Sequence, residues 1–172
     1  MKAFLGILIE LVVAVTSPAP PDRVAPRAPA VNVYLLQEDA GGYRRTAYQP
    51  LPRPARGARG PGERLQVALD ELVRGTTRTE RRSGYTSAFT RDTAGVIRRA
   101  ELRGRRAVVD FRDFRDEQGQ WGTAYGGSVF LMQVSRTIFQ FERVRSALLR
   151  IDGSCRQFWE FLQMRCEVLR RP

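Results

Sequence analysis

The chain has 172 residues, 29 Lys+Arg against 18 Asp+Glu, a formal net charge of +11 and no histidine. That length sets one domain with short flanking segments, and 42% hydrophobic residues are enough for a core. The missing histidine excludes Ser-His-Asp and Cys-His catalysis and every histidine-containing metal site.

Lys2 is the only lysine, so the charge is almost all arginine. An arginine-only bias follows from a GC-rich genome as readily as from a binding need, but a basic surface still attracts nucleic acid, anionic lipid or acidic wall polymers. No GxGxxG or GxxxxGKS/T phosphate cradle is present.

In chain order, Lys2 and the apolar run Ala3 to Val15 follow the plan of a signal peptide or N-terminal anchor over residues 1–16. The run is too short for an ordinary membrane-spanning helix. Glu10 interrupts it, and no cysteine follows it for lipid attachment. Residues 17–30, SPAPPDRVAPRAPA, are proline-rich and read as an extended linker.

The folded domain is expected over 31–153. Val31, Val33 and Leu35 alternate as one face of a strand. A turn at Glu38 to Gly42 leads to a second strand from Tyr43, which Pro50 confines to an edge. Pro52 to Gly62 reads as a loop. Leu65, Ala68, Leu69, Leu72 and Val73 recur at helical spacing, so a helix is expected over Glu63 to Arg74, ended by a left-handed Gly75. Two strands then flank a turn at Arg103-Gly104, the second with Ala107, Val109 and Phe111 facing one way and Val108 and Asp110 the other. A second helix is expected over Ser128 to Gln140, with Ser128 as N-cap and Phe130, Val134, Thr137, Ile138 and Phe141 as its stripe. Ala147, Leu149 and Ile151 mark a fifth strand, ended by Asp152-Gly153. The order predicts an α+β fold: a small mixed or antiparallel sheet with two helices packed on one face.

At this point the motifs resemble the GerMN domain of sporulation and spore germination proteins. The residues that carry the resemblance are Leu72-Val73-Arg74-Gly75, Thr76, Glu80-Arg81, Gly84 and Thr86-Ser87-Ala88. Ala107 to Phe111 follow as an apolar strand running into an aspartate, then Gln133, Thr137 and Gln140, Val144 and the strand ending in Asp152-Gly153. The resemblance covers about Val31 to Gly153. Thr76 replaces the family's usual proline after Gly75, and no proline stands near Phe89. It implies an extracytoplasmic interaction module, a fold like the ring-building domains of secretion systems, and no established catalysis or cofactor.

Asp110, Asp113, Asp116 and Glu117 form an acid cluster of the kind that general acid-base chemistry uses, but Arg112 and Arg115 lie among them and favour solvated ion pairs. Arg103 to Phe111 faintly matches an RNA-recognition strand, yet Arg105 and Ala107 stand where the stacking aromatics belong. Residues 154–172 are an aromatic C-terminal extension. Phe158, Trp159, Phe161 and Arg165 are candidate partner-binding residues, against the plainer reading that the segment completes the core. Cys155 and Cys166 are the only cysteines, and export would join them in a disulfide.

The sequence therefore predicts a non-catalytic, extracytoplasmic protein-interaction module, secreted or membrane-anchored. Its partner would be an envelope protein or a second copy, with membrane proximity through the N-terminal segment. The alternative is a basic domain that binds an anionic polymer, either nucleic acid or a cell-wall polymer, and the nucleic-acid reading ranks below a protein partner.

Overall fold

A computed structural model describes residues 29–37, 47–115 and 123–172. The expected leader, most of the proline-rich linker and the turn Glu38 to Gly42 lie outside the described residues, as do Asp116 and Glu117.

The elements run β1 (Ala30–Gln37), β2 (Ala47–Pro54), α1 (Pro61–Val73), α2 (Arg78–Arg82), β3 (Tyr85–Thr86), β4 (Ile97–Arg103), β5 (Arg106–Phe111), α3 (Ala124–Phe139), β6 (Ser146–Ile151), α4 (Cys155–Phe161) and β7 (Leu169–Arg170). The fold is α+β. The strands divide into two sheets where the sequence predicted one: β2-β1-β3 and β4-β5-β6-β7. All pairs are antiparallel except β5 with β6, which run parallel across the α3 connection.

Side chains on the helices explain why the sheets remain separate. In an antiparallel ladder alternate residues turn their N–H and C=O groups to the same side. On β1, residues 32 and 34 turn away from β2, and α3 meets them. Gln140 Oε1 accepts from Asn32 N at 2.8 Å, Gln140 Nε2 donates to Asn32 O at 2.7 Å, and Thr137 Oγ1 accepts from Tyr34 N at 3.3 Å. Farther along the same edge, β3 pairs with Leu36 and Gln37. The outer edge of β4 is treated alike: Gln66 Oε1 on α1 accepts from Ala100 N at 2.5 Å.

The other free edge is blunted by composition. Pro50, Pro52 and Pro54 repeat with period two on β2, an edge strand. All three missing N–H groups therefore fall on the outward side, where no further strand can pair. The sequence reading ended this strand early and gave 52–62 to a loop. The ladder to β1 continues to Pro54 because Arg53 keeps a backbone donor on the inner side.

Beneath these edges lies the main core, with a smaller cluster of Val31, Ala55 and Ala68 beside it. Leu65, Leu69 and Leu72 of α1 are fully buried, as are Val33 and Leu35 of β1 and Ala107, Val109 and Phe111 of β5. Phe130 of α3 sits between Phe89, at 5.2 Å between ring centres, and Phe111, at 5.9 Å. Such aromatic pairs add about 0.5–1.5 kcal/mol beyond their buried area. Helix α1 lies against β4, β1 and α3, and α3 lies against β1.

Two helix starts differ from expectation. Helix α1 begins at Pro61, which suits the first turn because its missing N–H has no partner there anyway. Helix α3 begins four residues before Ser128. Thr123 is the N-cap and accepts from Gly126 N at 3.0 Å, while the Ser128 hydroxyl donates to Ala124 O within the helix.

Gly75 ends α1 in the left-handed region at φ 74°. A Cβ there would stand 2.3 Å from Phe89 O, so two constraints coincide. Gly104 also has positive φ, but nothing lies within 4 Å of its Cβ position. Gly75→Ala is expected to cost about 3 kcal/mol or more in denaturant unfolding, and Gly104→Ala about 1 kcal/mol. Equal losses at the two sites would refute the close approach at Gly75.

Candidate interaction surfaces

The motif residues that the sequence singled out meet in space. Thr77 caps α2 and accepts from Glu80 N at 3.2 Å, while Glu80 Oε2 accepts from Thr77 N at 2.7 Å, a reciprocal capping box. The same Glu80 carboxylate takes both terminal nitrogens of Arg53, one at 2.7 Å. The Arg53 Nε also lies 3.7 Å from Glu71 on α1. The Arg53 and Glu80 side chains are only 10% and 12% exposed, so the pair fastens β2 to α2 away from bulk water. Arg53 was missed at the sequence level because it lies between prolines. Its burial follows from the inward register of β2, which no local pattern announced.

Thr76, where a proline is usual in GerMN-like sequences, accepts two bonds from Arg81 Nη1, to its carbonyl at 2.6 Å and to its hydroxyl at 3.3 Å. Gln133 Oε1 accepts from Ala88 N at 2.9 Å and Ser87 Oγ at 3.2 Å. The motif segment 86–88 is thus tied to α3.

The acid cluster resolves into separate structural duties. Asp110 accepts from Gly153 N at 2.7 Å and caps the turn after β6. Asp113 takes a two-pronged contact from Arg115, at 2.9 and 2.5 Å. That guanidinium, with the Arg115 backbone N–H, holds the Asp113 carboxyl down at about 2. Ala107 faces the core, Arg106 is exposed on the other side and Val108 is buried there at 4% exposure, so β5 offers no aromatic platform for bases.

Of the candidate partner-binding residues, Phe158 and Trp159 are fully buried. This corrects their assignment to a partner surface: the α4 register turns both rings into the core, Phe158 against Phe111 at 5.4 Å. Phe161 is half-buried, edge-on to Phe114 at 5.3 Å, and Arg165 is exposed. Cys155 and Cys166 are joined in a disulfide that closes the segment between them, with Cα atoms 5.5 Å apart.

The outward stripe of α3 was not read from the sequence. Tyr125, Met132 and Arg136 follow at seven and four residues, so they share a face. Tyr125 is 60% and Met132 39% exposed. Arg136 lies over the Tyr48 ring at 5.3 Å. Burial raises the Tyr48 hydroxyl above its ordinary value, helped by Tyr125 and opposed by Arg136. Beside the stripe runs a groove of about 270 Å³ lined by Ser128 and Leu131 of α3 and by Leu162 and Met164 after α4. Met164 is 44% exposed. Tyr125, Met132 and Met164 are the large hydrophobic side chains most open to solvent among the described residues.

Comparison with known proteins places this geometry. The family model Germane, described as sporulation and spore germination, matches residues 32–156. Among solved structures, the tandem GerMN domains of the sporulation protein GerM from Bacillus subtilis superpose with a TM-score of 0.58 at 19% identity, covering 83% of this chain. The chain spans 44% of that tandem structure. The first GerMN domain of the same protein superposes at 0.51 with 20% identity, covering 74% of this chain and 85% of that one. Among curated proteins, none matches.

The Arg53–Glu80 pair gives a pH test. Burial raises the Glu80 carboxyl, but Arg53 and Thr77 outweigh it and leave it below its ordinary 4.5. A depressed carboxyl stabilises the fold above its unfolded value and loses that contribution as pH falls through its folded value. Glu80→Gln is expected to cost about 2 kcal/mol at pH 7, from loss of hydrogen bonds to a charged group. The gap to wild type should narrow as the pH drops below 4.5. A gap that stays constant with pH would contradict the ion-pair assignment.

Proposed function

This chain belongs to the Germane family of sporulation and spore germination proteins, and on that premise we propose that it is a non-catalytic protein-interaction module of the cell envelope. The observation that carries the reading is the outward face of α3. Tyr, Met and Arg are enriched in the anchors of protein interfaces. Here Tyr125, Met132 and Arg136 form one stripe, and Met164 stands across the adjoining groove. Phe161 and Arg165, at the end of α4 and just beyond it, extend the same rim toward a partner.

The disulfide supports an extracytoplasmic location, since such bonds persist in oxidising compartments. In this reading residues 1–16 are the leader or anchor and the proline-rich 17–30 the spacer. The domain then stands clear of the membrane with its α3 face free. The partner is another envelope protein or a second copy of the chain. The acid cluster fits the non-catalytic reading, because Asp110 and Asp113 each hold a structural partner.

The test is capture from envelope extract at about 0.5 M salt, where exposed charges are screened. Wild-type protein should retain a defined protein, or itself, and the double variant Tyr125→Glu, Met132→Glu should lose at least about tenfold of it, or 1.4 kcal/mol. Both positions are exposed, so the melting temperature should hold. Equal capture by wild type and variant would contradict the assigned surface.

A further inference from the structure

The open face of the second sheet is strongly basic. Residues pointing away from the helices form a grid fixed by the strand register. Arg103 on β4 stands opposite Arg106 on β5, Arg106 opposite Ser146 on β6, and Ser146 opposite Arg170 on β7. Adjacent strands lie about 4.8 Å apart, so this row crosses the sheet over about 14 Å. Arg105, in the turn before β5, and Arg145, just before β6, flank it. In the next row Val108 stands opposite Leu148 and floors the cleft. An open cleft of about 420 Å³ is lined by the arginines at 103, 105, 106, 145 and 150, with Ser146, Val108 and Leu148.

Charge pairing does not explain the array. Glu101 holds Arg99 at 3.0 Å and Arg103 at 3.3 Å. Among the described residues, Arg105, Arg106, Arg145, Arg150 and Arg170 have no carboxylate at ion-pair distance. Arg150 Nε is buried without a hydrogen-bond partner. Like charges gathered this closely repel and oppose the compact state. A genomic preference for arginine sets how many there are, not that they gather on one face, where Glu101 and Asp110 are the carboxylates on the outward side of the four strands.

We infer that this face binds a linear phosphodiester polymer of the polyol-phosphate kind found in envelopes. Guanidinium forks match phosphate oxygens in pairs. A row crossing four strands suits an extended chain of charges, and the aliphatic Val108–Leu148 floor suits a polyol backbone. Among the outward residues of the four strands none is aromatic, so unpaired bases find no stacking surface and nucleic acid is the poorer fit. The choice of an envelope polymer rests on the extracytoplasmic reading. The surface itself is separate from the α3 face.

The test is direct binding of the full chain to three probes of matched length: poly(glycerol phosphate), oligo(dT) and poly-glutamate. Poly(glycerol phosphate) should bind most tightly, and its affinity should fall about tenfold or more between 50 and 200 mM salt. Arg106→Glu with Arg145→Glu should lose at least about tenfold, whereas Arg56→Glu with Arg82→Glu, an equal charge change on exposed sites elsewhere, should stay within about twofold. Arg106→Gln with Arg145→Gln provides a milder pair if charge reversal disturbs folding. Absence of polymer binding, equal losses in the two variant pairs, or tighter binding of oligo(dT) or poly-glutamate would each overturn the inference. Because none of these arms touches Tyr125 or Met132, such a failure leaves the protein-capture test standing on its own.

Discussion

The open edge of β1 governs the rest of this fold. Asn32 and Tyr34 carry N–H groups that face away from β2, and a strand edge placed among packed elements must find partners for them. A buried donor left alone costs about 1–3 kcal/mol. No strand fills this stretch; Thr137 and Gln140 do. Their spacing places both on one side of α3, so the helix is fixed in height and rotation against β1 by directional bonds as well as apolar contact. Gln66 fixes α1 against β4 in the same way.

Once α3 is held there, several features follow. Gln133, one turn before Thr137, reaches the segment 87–88 and brings Phe89 against Phe130. The Phe89 carbonyl then lies where only glycine fits at position 75. Thr93 donates to Val73 O at 2.6 Å and satisfies one of the last carbonyls of α1. The flank of α3 that carries Tyr125, Met132 and Arg136 is thereby turned outward beside the groove. The arrangement that closes a strand edge thus also presents the candidate partner surface.

Much of this architecture was legible in the sequence. Period-two patterns located β1, β5 and β6 because one face of each is buried while the other stays polar or is covered late. The 3.6-residue pattern located α1 and most of α3. Division into two sheets was not legible, since it depends on polar side chains of one element satisfying the backbone of another. Gln133, Thr137 and Gln140 were visible as motif residues, but their role as strand-edge partners requires the tertiary register. Helix α2 and strand β3 are too short, at five and two residues, to carry a period. Phe158 and Trp159 show the converse: an aromatic cluster near a terminus reads equally as an interface or as core, and only the rotation of α4 decides. The α3 stripe was overlooked because the inward face of the same helix gave the stronger apolar signal.

The two outer surfaces differ in chemistry and lie on different elements. One is an aromatic and thioether stripe on a helix, suited to a protein; the other is an arginine row on a sheet, suited to phosphate. Both are displayed by a frame whose alignment depends on α3 holding β1. Amide hydrogen exchange measures that dependence most directly. In wild-type protein the Asn32 and Tyr34 amides should be protected as strongly as those of Val33 and Leu35, which face β2. In Thr137→Val with Gln140→Leu, protection at 32 and 34 should fall by more than about tenfold while Val33 and Leu35 remain protected. Rapid exchange at 32 and 34 in the wild type, or protection unchanged by the two substitutions, would contradict the account.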